Sequence, residues 1–385
     1  MHDEVVRTTV ALRAIRVSCV LGLLLALWLG ASGVSSSASV RSKEPAWPLL
    51  VAQAQHQRTF YVLTSQQCGT SRCLRLYRSS DIIDSTVEPA PRFTLVTTPP
   101  YNRLARTPAG TVMAMVFATA NIGYVLEGNS EAFQLFITTN GARSWRLVAT
   151  PPGDTIWGLT ATGTHLYAVF LHCSAKTNGC NSIELGHSSL GATHWSGVTL
   201  PFHQFYTNQP LGQLAAGGEF VMFSEQAKRG TTLFISHNGG VSFAASSHAS
   251  LQSQQGCAFA SIGFRRSWAE CQSGNDVSLY FSHDAGATWN PIVRHPLLLS
   301  EGGFFSPAGS DFAYIDFGEA ERNVVRINLG AQEKHGVGTL ACRNVESADF
   351  MSGSHAYAVC NLANGATELE RSIDGGETWH PVTVP

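Results

Sequence analysis

Four stretches of this 385-residue chain gather side chains suited to holding a ligand. PPYNRLARTP (99–108) carries Tyr101, Asn102, Arg103 and Arg106, and GDTIWG (153–158) carries Asp154 and Trp157. LPFHQFYTNQP (200–210) carries His203, Phe205, Tyr206 and Asn208, and VRHP (293–296) carries Arg294 and His295. Aromatic faces beside guanidinium, amide and imidazole donors offer apolar area with a few directional contacts, which suits a protein segment or a carbohydrate. Phe205 and Trp157 serve equally well as packing between layers. Four acids, Asp154, Glu301, Glu346 and Asp349, raise a second possibility. A glycoside hydrolase needs two carboxylates roughly 5–9.5 Å apart across a cleft. No spacing pairs any two of these four, so no catalytic residue is assigned and hydrolysis stands as the alternative to binding. The 14 histidines form no His-x-His or His-x-x-x-His cluster, so neither a metal nor a cofactor is expected. His237 and His283 read as solvated.

Such residues need a scaffold, and the scaffold is written as a repeat. SHDAGATW (282–289) and SIDGGETW (372–379) share Ser, Asp, Gly, Thr and Trp in one frame. SHNGGVSF (236–243), TTNGARSW (138–145) and SSLGATHW (188–195) fit it less fully, and weak copies fall at SSD (79–81) and INLGAQEK (327–334). Counted at the acid position, the copies stand at 81, 140, 190, 238, 284, 329 and 374, a period narrowing toward 45 residues. Around each copy lie apolar, β-branched runs of five to eight residues bounded by Gly, Asn, Pro or Ser. TVMAMVFATA, NIGYVLEG and AFQLFITTNGA illustrate them. That is strand-and-turn patterning. No stretch beyond the leader sustains a helical apolar period over three turns. Four short strands per 40–50 residues, repeated radially, predict an all-β fold: a seven-bladed β-propeller of four-stranded antiparallel blades spanning 47–385.

The Ser-x-Asp-x-Gly-x-Thr-Trp frame resembles the Asp-box, or bacterial neuraminidase repeat, of the sialidase-like propellers. Those families place it between the third and fourth strands of a blade. The resemblance implies a folding role for Asn140, Asn238, Asp284 and Asp374, whose side chains accept from backbone amides two residues on. The glycine takes a backbone angle costly for other residues. Trp145, Trp195, Trp289 and Trp379 are expected in the core between blades, each removing about 150–250 Å² from water, roughly 4–6 kcal/mol gross. The family's active sites lie on the opposite rim, where the four recognition stretches are then expected. The resemblance stops short of sialidase chemistry: the Arg-Ile-Pro segment that supplies one substrate-binding arginine is absent, and PRFTLV (91–96) and YNRLARTP (101–108) lack its order. Seven-bladed xyloglucan-degrading glycosidases, lumenal photosystem II assembly factors and sortilin-type receptors share such boxes, so the fold does not choose the function.

Residues 1–39 stand outside the repeat. Arg7, Arg13 and Arg16 precede an apolar run from Val17 to Leu29 and then small residues, which reads as a secretory signal peptide or an uncleaved membrane anchor. Residues 40–46 read as a linker. Of nine cysteines, Cys19 falls in the leader and eight remain as close pairs: Cys68/Cys73, Cys173/Cys180, Cys257/Cys271 and Cys342/Cys360. Spacing alone leaves many pairings open. In the blade model Cys257/Cys271 join the first strand to the second, Cys342/Cys360 repeat that, and the other two pairs lie between second and third strands, all on the rim opposite the boxes. With 14% charged residues and a formal net charge of −2, the chain has no basic footprint for nucleic acid. The expectation is a secreted or cell-surface bacterial protein, monomeric, with a protein or carbohydrate ligand and no membrane contact beyond the possible anchor.

Overall fold

The computed structural model describes residues 47–54, 59–68, 71–79, 91–97, 111–128, 133–150, 154–174, 179–191, 194–200, 214–227, 230–246, 256–262, 265–273, 276–291, 297–298, 303–308, 311–316, 322–328, 333–350 and 354–385. Every regular element among them is a strand, and no helix among them is long and apolar enough to cross a membrane.

The strands form seven antiparallel sheets in chain order, six of them simple up-and-down meanders. Sheet 1 holds β1 (Trp47–Gln53), β2 (Phe60–Cys68), β3 (Ser71–Ser79) and β4 (Thr94–Val96). Sheet 2 holds β5 (Thr111–Phe117), β6 (Gly123–Gly128), β7 (Phe133–Thr138) and β8 (Arg146–Leu147). Sheet 3 holds β9 (Asp154–Ala161), β10 (His165–Ser174), β11 (Gly179–Ser189) and β12 (Ser196–Thr199). Sheet 4 holds β13 (Leu214–Gly217), β14 (Phe220–Ala227), β15 (Gly230–Ser236) and β16 (Ala244–Ser246). Sheet 5 holds β17 (Gly256–Ile262), β18 (Arg266–Ser273), β19 (Asp276–Ser282), β20 (Asn290–Pro291) and β21 (Leu297–Leu298). Sheet 6 holds β22 (Gly303–Ala308), β23 (Asp311–Asp316), β24 (Arg322–Asn328) and β25 (Glu333–Leu340). Sheet 7 holds β26 (Asn344–Phe350), β27 (Ala356–Asn361), β28 (Thr367–Ser372) and β29 (His380–Val382).

This corrects the expectation of seven four-stranded blades. Six sheets are four-stranded, and the remaining one, sheet 5, has five strands. Its outer edge is shared by two short strands: β20 pairs with Tyr280 and Phe281 of β19, and β21 pairs with Asp276 and Val277 of the same strand. Pro291 ends β20, because proline has no N–H to continue a ladder.

The first strands lie innermost. β1 touches β5, β5 touches β9, and the contacts continue through β13, β17, β22 and β26 back to β1, so the ring closes. Both faces of each sheet meet a neighbour, and the second strands are therefore apolar in succession rather than alternating. Tyr124, Val125 and Leu126 of β6 and Leu166 through Leu171 of β10 are buried. The core is a series of seams. Tyr61 stacks on Phe117 at 3.6 Å between sheets 1 and 2, and Ile156 and Phe170 of sheet 3 pack with Tyr124 and Leu126 of sheet 2.

Among the described residues no strand is exchanged between the first and last sheets. Their seam is closed by side chains: Phe60 stacks on Tyr357 at 4.2 Å, and Val384 is buried among Val51, Val62 and Leu369. The Tyr77 hydroxyl donates to the Pro385 carbonyl, and the Val51 amide donates to Ser347 Oγ at 3.3 Å.

Candidate functional site

The repeated octapeptides join third to fourth strands, and four of them share one hydrogen-bond plan. In sheet 5 the Ser282 hydroxyl donates to Asp284 Oδ1 at 2.9 Å and accepts from the Gly286 amide at 2.8 Å. Asp284 accepts from the Thr288 amide and hydroxyl, both at 2.7 Å. In sheet 7 Ser372, Asp374, Gly376 and Thr378 do the same. In sheets 2 and 4 an asparagine replaces the acid: Asn140 and Asn238 accept from the amides of Ser144 and Ser242, and their Nδ2 groups donate to the hydroxyls of those serines. The acceptor therefore reaches the amide four residues on in all four turns, rather than two. The fourth and fifth positions take positive φ, from 57° at Ala285 to 100° at Gly376, which explains the glycines there. The fourth residue's amide donates to a carbonyl in the turn between the first two strands: Gly141 to Asn121, Gly239 to Glu219, Ala285 to Arg265 and Gly375 to Ser354, at 2.7–3.0 Å.

The copy at 188–195 has Leu190 where an acceptor belongs; Ser188 Oγ donates to the Ser189 carbonyl, and Leu190 donates its amide to Thr164. The acid positions of the copies at 81 and 329 lie outside the described residues. The eighth residue meets an aromatic ring of its own sheet edge-on: Trp289 against Phe259 at 5.6 Å, Trp195 against Phe170 at 5.1 Å, Trp145 against Phe117 at 6.4 Å and Trp379 against Phe350 at 6.2 Å. Trp145 donates from Nε1 to the Thr97 carbonyl at 2.9 Å. Trp289 is buried, whereas Trp145, Trp195 and Trp379 are half-buried and remove less area from water than a core indole would.

Because turns and octapeptides share one end of the ring, a cleft forms there between sheets 4 and 5. It encloses about 650 Å³. Glu219 and Phe220 come from the β13–β14 hairpin, His237 from the sheet 4 octapeptide, Arg265 from the β17–β18 hairpin, and His283 and Asp284 from the sheet 5 octapeptide. Phe220 is buried and forms the floor, while the polar groups are exposed. His237 lies 5.5 Å from the Phe220 ring, and His283 meets Phe281 edge-on at 4.1 Å. The Asp284 carboxyl is partly desolvated, which acts to raise its pKa, but the bonds from Thr288 and Ser282 outweigh this and hold it below the usual carboxylate range. Among the described residues no three His, Cys, Asp or Glu side chains come together as a metal-ligand set.

Tyr101, Arg103, Arg106, His203, Tyr206, Asn208 and His295 lie outside the described residues. Asp154 and Trp157 are placed on β9 by backbone only. Of the four candidate acids, Glu301 lies outside the described residues. Glu346, at the loop end of β26, accepts from the side-chain amides of Asn344 and Asn361, and Asp349 lies farther along the same strand.

The disulfides Cys257–Cys271 and Cys342–Cys360 sit at that loop end, opposite the octapeptides: the first joins residues paired across β17 and β18, and in the second Cys360 is the penultimate residue of β27. Cys73 is also disulfide-bonded. Cys173 and Cys180 are register partners on β10 and β11, and their side chains, with that of Cys68, lie outside the described set.

One feature carries no sequence signal beyond its charge. Glu127 is 3% exposed, and its Oε2 has no hydrogen-bond partner among the described residues. Val125 packs toward sheet 1 with Tyr61 and Leu63, so the alternation of β6 turns Glu127 to that seam as well. Burial pushes its carboxyl up to about 7.

No family model matches the chain, and no curated protein matches it. Solved structures do. The β-propeller domain of the Trilobed protease from Pyrococcus furiosus, described as having an open velcro topology, matches with a TM-score of 0.55 at 9% identity, over 89% of this chain and 99% of that one. An acylaminoacyl peptidase of Pyrococcus horikoshii matches with a TM-score of 0.59 at 8% identity, over 88% of this chain and 52% of that one, so this chain spans about half of the peptidase. YCF48 from Cyanidioschyzon merolae matches with a TM-score of 0.44 at 12% identity, over 71% of this chain and 86% of that one. At these identities the likeness concerns the fold: the chain is a β-propeller.

Proposed function

We propose that this propeller is an exported binding or assembly module whose loop rim holds a protein segment or a glycan. The observation that supports this reading is the placement of Cys257–Cys271 and Cys342–Cys360 at the end of the sheets from which the rim loops depart. A covalent staple there fixes the loops' points of origin and lowers the ordering cost of binding. Disulfides persist in oxidising compartments, which agrees with an export leader at 1–39 and a secreted or cell-surface address. The bonding plan of the octapeptides supports the Asp-box reading and gives these segments a structural role away from the rim. The contact residues on this reading are Tyr101, Arg103, Arg106, Asp154, Trp157, His203, Tyr206, Asn208 and His295.

The test is a glycan array run beside capture of proteins from the native envelope, using the purified chain and the variants Arg103→Ala and Tyr206→Ala. A defined glycan or protein segment bound by the parent, and at least tenfold weaker with either variant, supports the reading. Binding unchanged in both variants, or release of reducing sugar from a bound glycan, overturns it; the latter result points to glycoside hydrolysis.

A further inference from the structure

The cleft between sheets 4 and 5 lies at the opposite end from the loop rim, and its composition points to a ligand of its own. Two neighbouring repeats place histidine at the second octapeptide position, His237 and His283, where the other turns have Thr139, Ser189 and Ile373. Both imidazoles open into the same space as Arg265, over the buried ring of Phe220. The walls are fixed, because the Glu219 and Arg265 carbonyls accept from Gly239 and Ala285, which locks each hairpin to its octapeptide. The charged groups facing the cleft are Arg265, Glu219 and Asp284. Asp284 spends its oxygens on Ser282 and Thr288. One guanidinium against two carboxylates leaves a formal charge of −1 with neutral imidazoles, and two imidazolium groups bring it to +1. Imidazole as a class gains its charge between about pH 8 and 5.

We propose that this cleft binds a small ligand that carries an oxyanion, carboxylate or phosphate, on an apolar body, and that it does so in acidic solution. Arg265, His237 and His283 supply the donors, Ala285 and the imidazole faces meet the apolar body, and Glu219 repels the ligand when the imidazoles are neutral. The site is independent of the loop-rim reading.

Isothermal titration with benzoate and with phenyl phosphate, each at pH 5.5 and 7.5, tests the assignment, and the tighter of the two probes identifies the oxyanion. The expected result is binding at pH 5.5 that weakens at least tenfold at pH 7.5. H237Q/H283Q should lose at least tenfold at pH 5.5 and flatten the pH dependence, and E219Q should tighten binding at pH 7.5. The second octapeptide position makes none of the turn's hydrogen bonds, so the histidine variants leave the fold intact; matching circular dichroism checks this. Arg103→Ala, the variant that tests the proposed function, should leave this titration unchanged. No binding of either probe at about 10 mM and pH 5.5, equal affinity at both pH values, or parental affinity in H237Q/H283Q overturns the proposal.

Discussion

Asp284 and Asp374 do in one residue what Asn140 and Asn238 divide between an oxygen and an N–H. Each accepts from an amide four residues on and engages the hydroxyl of the seventh residue. Asparagine at these two acids therefore preserves the turn, whereas alanine leaves an amide and two hydroxyls without their acceptor. Asp374→Ala should cost about 1–2 kcal/mol and Asp374→Asn well under half of that, read from urea denaturation at neutral pH. The folded state holds both carboxyls below their usual range, against the opposing effect of burial. Their contribution is thus present above the unfolded value, near pH 4, and is lost as pH falls through the folded value. Glu127 has the opposite sign. Burial raises its carboxyl to about 7, so folding is favoured below the unfolded value, near 4.3, and the advantage disappears as pH rises through 7. Glu370, raised to about 7 by burial and by the neighbouring Glu368, acts in the same window. Stability should decline between about pH 4 and 7. Glu127→Gln should be more stable than the parent at pH 8 by about 1–3 kcal/mol, with the difference nearly gone at pH 4, in urea titrations at the two pH values.

Elements convert these local bonds into a rigid ring, and a one-atom change can test how closely they meet. Gly338 lies on β25, beside a register shift in its pairing with β24, and packs on the backbone of the sheet 7 octapeptide. A Cβ there would overlap the carbonyl oxygens of Gly376 and Glu377, and backbone on both sides leaves no flexible side chain to yield. Gly338→Ala should cost about 2 kcal/mol or more and lower the thermal midpoint, whereas Gly163→Ala, which meets open space, should be within 0.5 kcal/mol of the parent. The staples act at the same scale. Cys257 and Cys271 close a loop of 14 residues' separation, so Cys257→Ala/Cys271→Ala should lose roughly 3 kcal/mol in non-reducing denaturation. This level of organisation was the most legible in the sequence. Four strands and one octapeptide per repeat follow from apolar runs and turn residues, because short continuous apolar strands and left-handed turn residues leave local marks. The fifth strand of sheet 5 left no such mark, since two-residue segments such as Leu297–Leu298 are too short to show a period. The sheet 4–sheet 5 cleft was half visible: His237 and His283 stand at one repeat position, but only the ring brings them to Arg265 and Glu219. Glu127 was invisible, because a lone acid in GYVLEG reads as solvated unless both of its neighbouring sheets are known.

The whole ring depends on a seam that, among the described residues, no hydrogen-bonded strand pair secures. A propeller that shares a sheet between its chain ends holds its closing blade by backbone ladders; here sheet 1 and sheet 7 are each built from one contiguous segment. Closure then rests on apolar contact, chiefly Phe60 on Tyr357 with Val51, Val62, Leu369 and Val384 around them, and on the Tyr77 hydroxyl bond to Pro385. Elsewhere in the ring a comparable stack, Tyr61 on Phe117, joins sheets that are also adjacent in the chain, so its loss leaves the two sheets tethered. Across the closing seam the same loss separates sheets joined only through the remainder of the ring. Phe60→Ala should therefore cost about 3–5 kcal/mol, as Phe117→Ala should, yet the two should differ in how the molecule opens. Hydrogen exchange should show the Phe60 variant losing protection together in β1, β2, β26 and β27, while β13 to β18 retain the parent's protection. The Phe117 variant should lose protection locally in β5 and β6. Uniform loss of protection around the ring in the Phe60 variant would mean that the sheets open as one cooperative unit and that the seam is no weaker than its neighbours.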